Sequence, residues 1–207
     1  MLEGLSSANK SLIRISACLA AGNYARLELL IREALASKVS ASKIYEVLLQ
    51  SYLFLGYPKA LEGLKIFRKI AGKDNRPSRI NRSFRYWSDW KIRGTLLCRK
   101  VYGNNFGKLT ERIGDISPEL GEWMIVEGYG KVLSRGILAG VVRELCTVAS
   151  LLVTSDINQL HSHMRGAKNL GAKRHEIFET LKIASDFCTK QKSSRGHKLF
   201  MTIFGER

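Results

Sequence analysis

The residues best equipped for chemistry lie in the last third of the chain. Glu144 stands in the run Arg143-Glu144-Leu145-Cys146, and His161, Ser162 and His163 follow one helical segment later. Residues two apart on a helix point to different sides, so only one of the two histidines can face inward. His163 comes three after Leu160 and four before Ala167, which places it on the apolar stripe. An antiparallel pair of helices can bring Glu144 against it. A carboxylate beside an imidazole in a partly buried cleft is a general acid/base unit, each group shifting the other's titration. The same two residues also fit a core histidine satisfied by a helix-terminal glutamate, and taken alone they favour that plainer role. His161 and His175 read as surface residues.

Such a pair needs helices to hold it, and helical periodicity dominates. Leu12, Ile15 and Leu19, then Leu27, Leu30, Ile31 and Ala34, recur at three and four residues. Gly22-Asn23 separates the two helices. Ser40 and Ser42 can cap a third, through Ile44, Val47, Leu48 and Tyr52. Gly56-Tyr57-Pro58 ends it, and Pro58 suits the first turn of a fourth. Helix signals resume at Ser117-Pro118-Glu119, with further helices near 118–133, 139–154, 157–170, 173–189 and 195–204.

An internal repeat organises these elements. Sliding the chain by 133 residues lays 12–50 on 145–183 without a gap, with eight identities. Among them are Leu12/Leu145, Leu27/Leu160, Arg32/Arg165, Ile44/Ile177 and Glu46/Glu179. Phase agreement through three consecutive helices and two turns exceeds what unrelated amphipathic helices share. The division is an N-terminal repeat over 1–72, a basic linker with a possible helix over 73–102, and a C-terminal repeat over 103–207. In the first repeat Ser11 and Leu30 stand where the second has Glu144 and His163, so the first reads as a degenerate scaffold.

Composition sets the outer bounds. With 34 Lys+Arg against 18 Asp+Glu, the formal net charge is +16, which draws anions. Four cysteines at 18, 98, 146 and 188 include no CxxC pair, so neither a zinc knuckle nor a vicinal dithiol is expected. No metal or other cofactor is implied. No apolar run reaches the roughly 20 residues of a membrane span. Arg14 and Glu3 argue against a signal peptide, so the expected location is the cytoplasm. Residues 73–100 carry nine basic side chains and two acids. There Arg76, Arg79, Arg82 and Arg85 interleave with Phe84, Tyr86, Trp87 and Trp90, as on a single-strand nucleic-acid surface. No nucleic-acid motif accompanies them, and a solvated linker with docked aromatics is the preferred reading.

The order of motifs resembles a known family. The stretch Tyr129-Gly130-Lys131-Val132-Leu133-Ser134-Arg135, then Arg143-Glu144-Leu145, Leu160-x-x-His163-x-x-Gly166-Ala167, Gly171-Ala172 and His175-Glu176-Ile177-x-Glu179, is similar to the carboxymuconolactone decarboxylase family and its alkylhydroperoxidase-D-like (AhpD-like) members. The first repeat resembles a unit of it at Ile44-Tyr45-Glu46-Val47-Leu48-Leu49-Gln50. The resemblance implies an all-α fold of two related helical units, assembled as trimers or hexamers. The peroxidase branch relays from a Glu through a CxxC pair to a His. Here the Glu and His positions fall on Glu144 and His163, but the cysteine positions hold Asp156 and Gln159. No dithiol cycle can run there, and Cys146, near in sequence but without a resolving partner, reads first as a small buried hydrophobe and only secondarily as a possible redox thiol.

The decarboxylase branch needs no thiol pair. It implies a small anionic carboxylate or lactone as substrate, acid/base catalysis by Glu144 and His163, and a grip on the carboxylate by Arg135 and Arg143. Alternatives are an alkylhydroperoxidase-like oxidoreductase without the CxxC pair, and a non-catalytic protein that binds through the basic linker. Units of about 70 residues bury only roughly 60% of their surface. A homo-oligomer is therefore expected, a trimer of fused pairs before a dimer.

Overall fold

The computed structural model describes residues 4–72 and 86–205. Among the described residues all regular structure is helical, so the all-α class holds. The first unit is α1 (Ser7–Ala21), α2 (Tyr24–Ala36), α3 (Ala41–Gln50) and α4 (Tyr52–Ala71). Next come α5 (Tyr86–Tyr102), α6 (Phe106–Ile116), α7 (Pro118–Trp123) and a π-helical segment, Met124–Leu133. The second unit is α8 (Gly140–Thr154), α9 (Ile157–Asn169), α10 (Arg174–Ser185) and α11 (Lys190–Phe204).

The 133-residue offset recurs in the backbone. It carries the bounds of α1 and α2 onto those of α8 and α9, and the start of α3 onto that of α10. The reason is local. Gly22 ends α1 in the left-handed region at φ 73°, and Ser155 ends α8 there at φ 71°. Lys59 donates to the Ala20 carbonyl at 2.5 Å, and Lys192, its equivalent, to the Val153 carbonyl at 2.7 Å. Lys59 reaches from α4 to the end of α1 and Lys192 from α11 to the end of α8, and each satisfies an orphaned carbonyl there.

The two units share one core. Leu12, Ile15 and Leu19 of α1 and Leu145, Val148 and Leu152 of α8 belong to a single buried cluster. Ser16 donates to the Cys146 carbonyl at 2.8 Å, tying the equivalent helices α1 and α8 together. Reciprocal ion pairs flank them. Glu46 pairs with Arg143 at 2.7 Å, and Glu179 with Lys10 at 2.7 Å, each partner lying 133 residues from its counterpart. This is a pseudo-two-fold exchange, as two copies of one unit would make in a dimer.

The middle of the chain builds a second, smaller core from Cys98, Val101, Leu109, Ile125, Tyr129 and Leu133. Within the stretch read as a basic linker with a possible helix, the helix forms as α5 from Tyr86 and packs into this core. The arginine ladder Arg76, Arg79, Arg82 and Arg85, with Phe84, lies outside the described residues. Two further differences concern 106–133. The helix α6 was not expected, and the helix read as continuous over 118–133 changes from α to π at Met124. A π-turn closes through a bond five residues back, as from the Ser134 N–H to the Tyr129 carbonyl at 2.9 Å. Close backbone contact with α5 accompanies it. A β-carbon on Gly94 would stand 2.0 Å from the Ile125 carbonyl oxygen.

Candidate functional site

α8 and α9 bring Glu144 and His163 together. Oε2 of Glu144 lies 2.8 Å from Nδ1 of His163, and both side chains are buried. The approach depends on Gly166, one turn after His163. A β-carbon there would stand 2.8 Å from Glu144 Oε2 and 2.7 Å from Val101 Cγ1. The Phe54 ring meets the imidazole edge-on, with centroids 5.1 Å apart. Against an ionised carboxylate Nδ1 can only donate, which leaves the Nε2 lone pair free. Nε2 makes no hydrogen bond among the described residues.

His163 lines a cavity of about 310 Å³, walled chiefly by apolar and aromatic groups. Leu53 and Phe54 come from α4, Tyr102 from α5, Trp123 from α7, Tyr129 and Leu133 from the π-helical segment, and Gln159 from α9. The first unit, read as scaffold alone, therefore supplies part of the wall. Leu53 and Phe54 reach it because Gly56, at φ 79°, breaks α4 and frees its first turn from the axis that follows. On the cavity wall Glu127 accepts from the Tyr52 hydroxyl at 3.0 Å.

Three groups beside Glu144 were not singled out in the sequence. Burial, and then the Glu144 carboxylate, push the Cys98 thiol up to about 12. Burial raises the Tyr102 phenol to about 12. Tyr129, buried more completely and facing Tyr102 and Glu144, is held well above the ordinary phenol range. All three groups are neutral at physiological pH and surround the carboxylate with polarisable O–H and S–H groups. The available signal was the spacing Gly94, Cys98, Val101 on one helix face, together with Tyr129-Gly130 in the family-like run.

The remaining candidates lie elsewhere. Arg143 is buried and directs Nη2 to Glu46 at 2.7 Å and Nη1 to Gln50 Oε1 at 2.9 Å. Arg135 closes on Glu46 through Nε at 2.9 Å and Nη2 at 2.8 Å. Neither arginine lines the His163 cavity. The two guanidiniums expected to grip a substrate carboxylate face Glu46 instead, and both neutralise this buried acid of the first unit. Cys146 lies where its preferred reading, a small buried hydrophobe, puts it. It is fully buried in the shared core, and burial pushes its thiol up to about 12 despite nearby Arg143. A thiol so placed has almost no thiolate and no path to peroxide. Asp156 stands at the N-cap position of α9 with its carboxylate accepting from the Thr154 hydroxyl, while Gln159, at the other cysteine position, lines the cavity. Among the described residues no His/Cys/Asp/Glu cluster has the makings of a metal site. No described helix is long and apolar enough to cross a membrane.

Fold and site together define a duplicated helical unit with a buried imidazole–carboxylate pair in its second copy. The profile of the carboxymuconolactone decarboxylase family matches residues 1–69 and 118–195, and the chain belongs to that family. Among curated proteins it is similar to Peroxisomal protein 2 of Schizosaccharomyces pombe, at 26% identity over 147 residues, covering 69% of this chain and 67% of that protein. α5 and α6 lie between the two matched segments, yet α5 walls the cavity.

Proposed function

We propose that the chain is an enzyme of proton transfer, with His163 Nε2 as the acid/base atom and Glu144 as the carboxylate that orients and stabilises it. The observation that carries this reading is the 2.8 Å Nδ1–Oε2 contact at the edge of a cavity into which Nε2 is free to act. The substrate class that fits is a small lactone or carboxylic acid with a largely apolar body, since aromatic and aliphatic groups make most of the wall. When carbon dioxide leaves, the bonding electron pair stays on carbon and takes a proton. The imidazolium supplies that proton from Nε2, and Glu144 supports its charge. Gln159 and Tyr129 offer polar contacts to an oxygen-bearing substrate. No cysteine lines the cavity, which favours the lyase over the peroxidase type of reaction.

Exposed apolar side chains such as Leu61 on α4 and Ile92 and Leu96 on α5 support assembly into a homo-oligomer. Four free cysteines, three of them buried, support a reducing compartment such as the cytoplasm.

The test is turnover in D2O. A panel of γ-lactone carboxylates and β-keto acids is incubated with the protein, and products are read by mass spectrometry. Expected is deuterium at the carbon that lost carbon dioxide, with at least about a hundredfold loss of rate in His163→Gln. Turnover undiminished in that variant would contradict the assignment.

A further inference from the structure

A second groove, of about 300 Å³, lies on the other side of Tyr102, which borders both spaces. α6 presents Lys108 and Arg112 to it, and α9 presents His161 and Arg165. Each pair is spaced i, i+4, so its members share a helix face. Among the described residues no acidic side chain lines the groove, and none of the four makes an ion pair or hydrogen bond.

The internal repeat shows that this charge is not inherited from the unit. The positions of His161 and Arg165 correspond to Glu28 and Arg32 in the first copy. There Glu28 answers Arg32 at 2.7 Å. In the second copy the acid is replaced by an imidazole, and Arg165 has no counter-ion among the described residues. The facing helix then adds Lys108 and Arg112 from the segment between the two family-matched stretches. Converging like charges with no counter-ion are unfavourable in the empty protein, and an anion relieves them.

We propose that this groove is a binding site for a phosphate-type anion, a phosphoryl or diphosphoryl group of a small ligand. Three permanent cations and an imidazole exceed what one carboxylate can use. Two guanidiniums can each donate in parallel to tetrahedral oxygens, with Lys108 as a point charge and His161 as a further donor. The Asn105 and Asn169 amides and the Ser162 hydroxyl lie on the same lining. Arg112 is close enough to Tyr102 for its charge to act on that phenol, so an anion here sits one side chain from the His163 cavity. The proposal does not depend on the acid/base role of His163.

The experiment is calorimetric titration of the full chain with inorganic pyrophosphate at moderate salt, with citrate and a short single-stranded oligonucleotide as comparison ligands. Two double variants remove equal charge: Arg112→Ala with Arg165→Ala in the groove, and Lys190→Ala with Lys198→Ala on the exposed face of α11. Expected is saturable pyrophosphate binding, weakened at least about tenfold in the groove variant and unchanged in the α11 variant. His163→Gln binds pyrophosphate as the parent does. The proposal is overturned by absence of binding at millimolar pyrophosphate, by equal losses in both double variants, or by citrate or the oligonucleotide binding more tightly than pyrophosphate through the same arginines.

Discussion

Gly130 presses directly on Trp90. A β-carbon on the glycine would stand 2.0 Å from the tryptophan carbonyl oxygen, so α5 and the π-helical segment meet backbone to backbone. The three nearest atoms all belong to the Trp90 backbone, and no side-chain shift can make room. Gly130→Ala is expected to undock this layer, at a cost of about 1–3 kcal/mol or more. All three tryptophans, at 87, 90 and 123, lie in the same region, whereas the shared core lies outside it. Tryptophan fluorescence should therefore shift and melt early in urea, while the helical circular-dichroism transition moves less. Coincident, parent-like transitions would contradict the close packing.

The reciprocal ion pairs predict unequal costs from equivalent substitutions. Glu46 is fully buried against two arginines, while Glu179 and Lys10 are partly exposed. Glu46→Gln leaves Arg143, whose Nε already lacks a partner, as an uncompensated buried charge. The expected loss is about 3–5 kcal/mol. Glu179→Gln should cost only about 0–1 kcal/mol, because solvent screens that pair. Urea melts of the two variants decide it, and equal losses would refute the asymmetry.

Much of the scaffold was legible in the sequence because local signals agree with the global pattern. Gly22, Asn23, Ser117 and Pro118 mark real helix ends, and the 133-residue slide reappears in the helix bounds. The 3.6-residue period also placed His163 inward, which made its approach to Glu144 foreseeable. The π-helical segment was not legible, because its geometry follows from the contact of Gly94 and Gly130 with the opposite backbone rather than from any propensity. Nor were the partners of Arg143. Glu46 lies 97 residues earlier in the chain, and nothing local distinguishes an arginine that grips substrate from one that neutralises a buried acid.

Alkaline pH should destabilise the fold. Tyr102 and Cys98 are raised to about 12 in the native state, from ordinary values of 10.0 and 9.0. Cys146 is also raised to about 12, and burial holds Tyr129 well above the ordinary phenol range. Raised native values mean that the unfolded chain releases these protons first. The stability they carry is therefore complete below about pH 9 and is lost as pH climbs towards 12. Urea midpoints should fall between about pH 9 and pH 11, by a few kcal/mol in stability, and Tyr102→Phe should shallow the slope. A flat profile would contradict the neutral, buried state of these groups.

Thiol chemistry should be confined to one residue. Cys18, Cys98 and Cys146 are buried, and Cys188 is half-buried. A thiol at about 12, such as Cys146, leaves on the order of one in 10⁵ ionised at neutral pH. Native alkylation with iodoacetamide, mapped by mass spectrometry, should mark Cys188 ahead of the others. Hydroperoxide should not be consumed with dithiol reductants. Consumption that vanished in Cys146→Ala would restore a redox role.

The proposed proton transfer requires Glu144 to hold the His163 ring so that Nε2 can exchange a proton with substrate. Nitrogen-15 NMR of imidazole-labelled protein tests this most directly, because it reports which ring nitrogen carries the proton. Neutral His163 is expected to be protonated at Nδ1, with a hydrogen-bonded signal that Glu144→Gln abolishes or shifts, and with an unprotonated Nε2 that responds when a small lactone or carboxylic acid enters the cavity. A neutral ring protonated at Nε2, unaffected by Glu144→Gln and indifferent to such ligands, would contradict it.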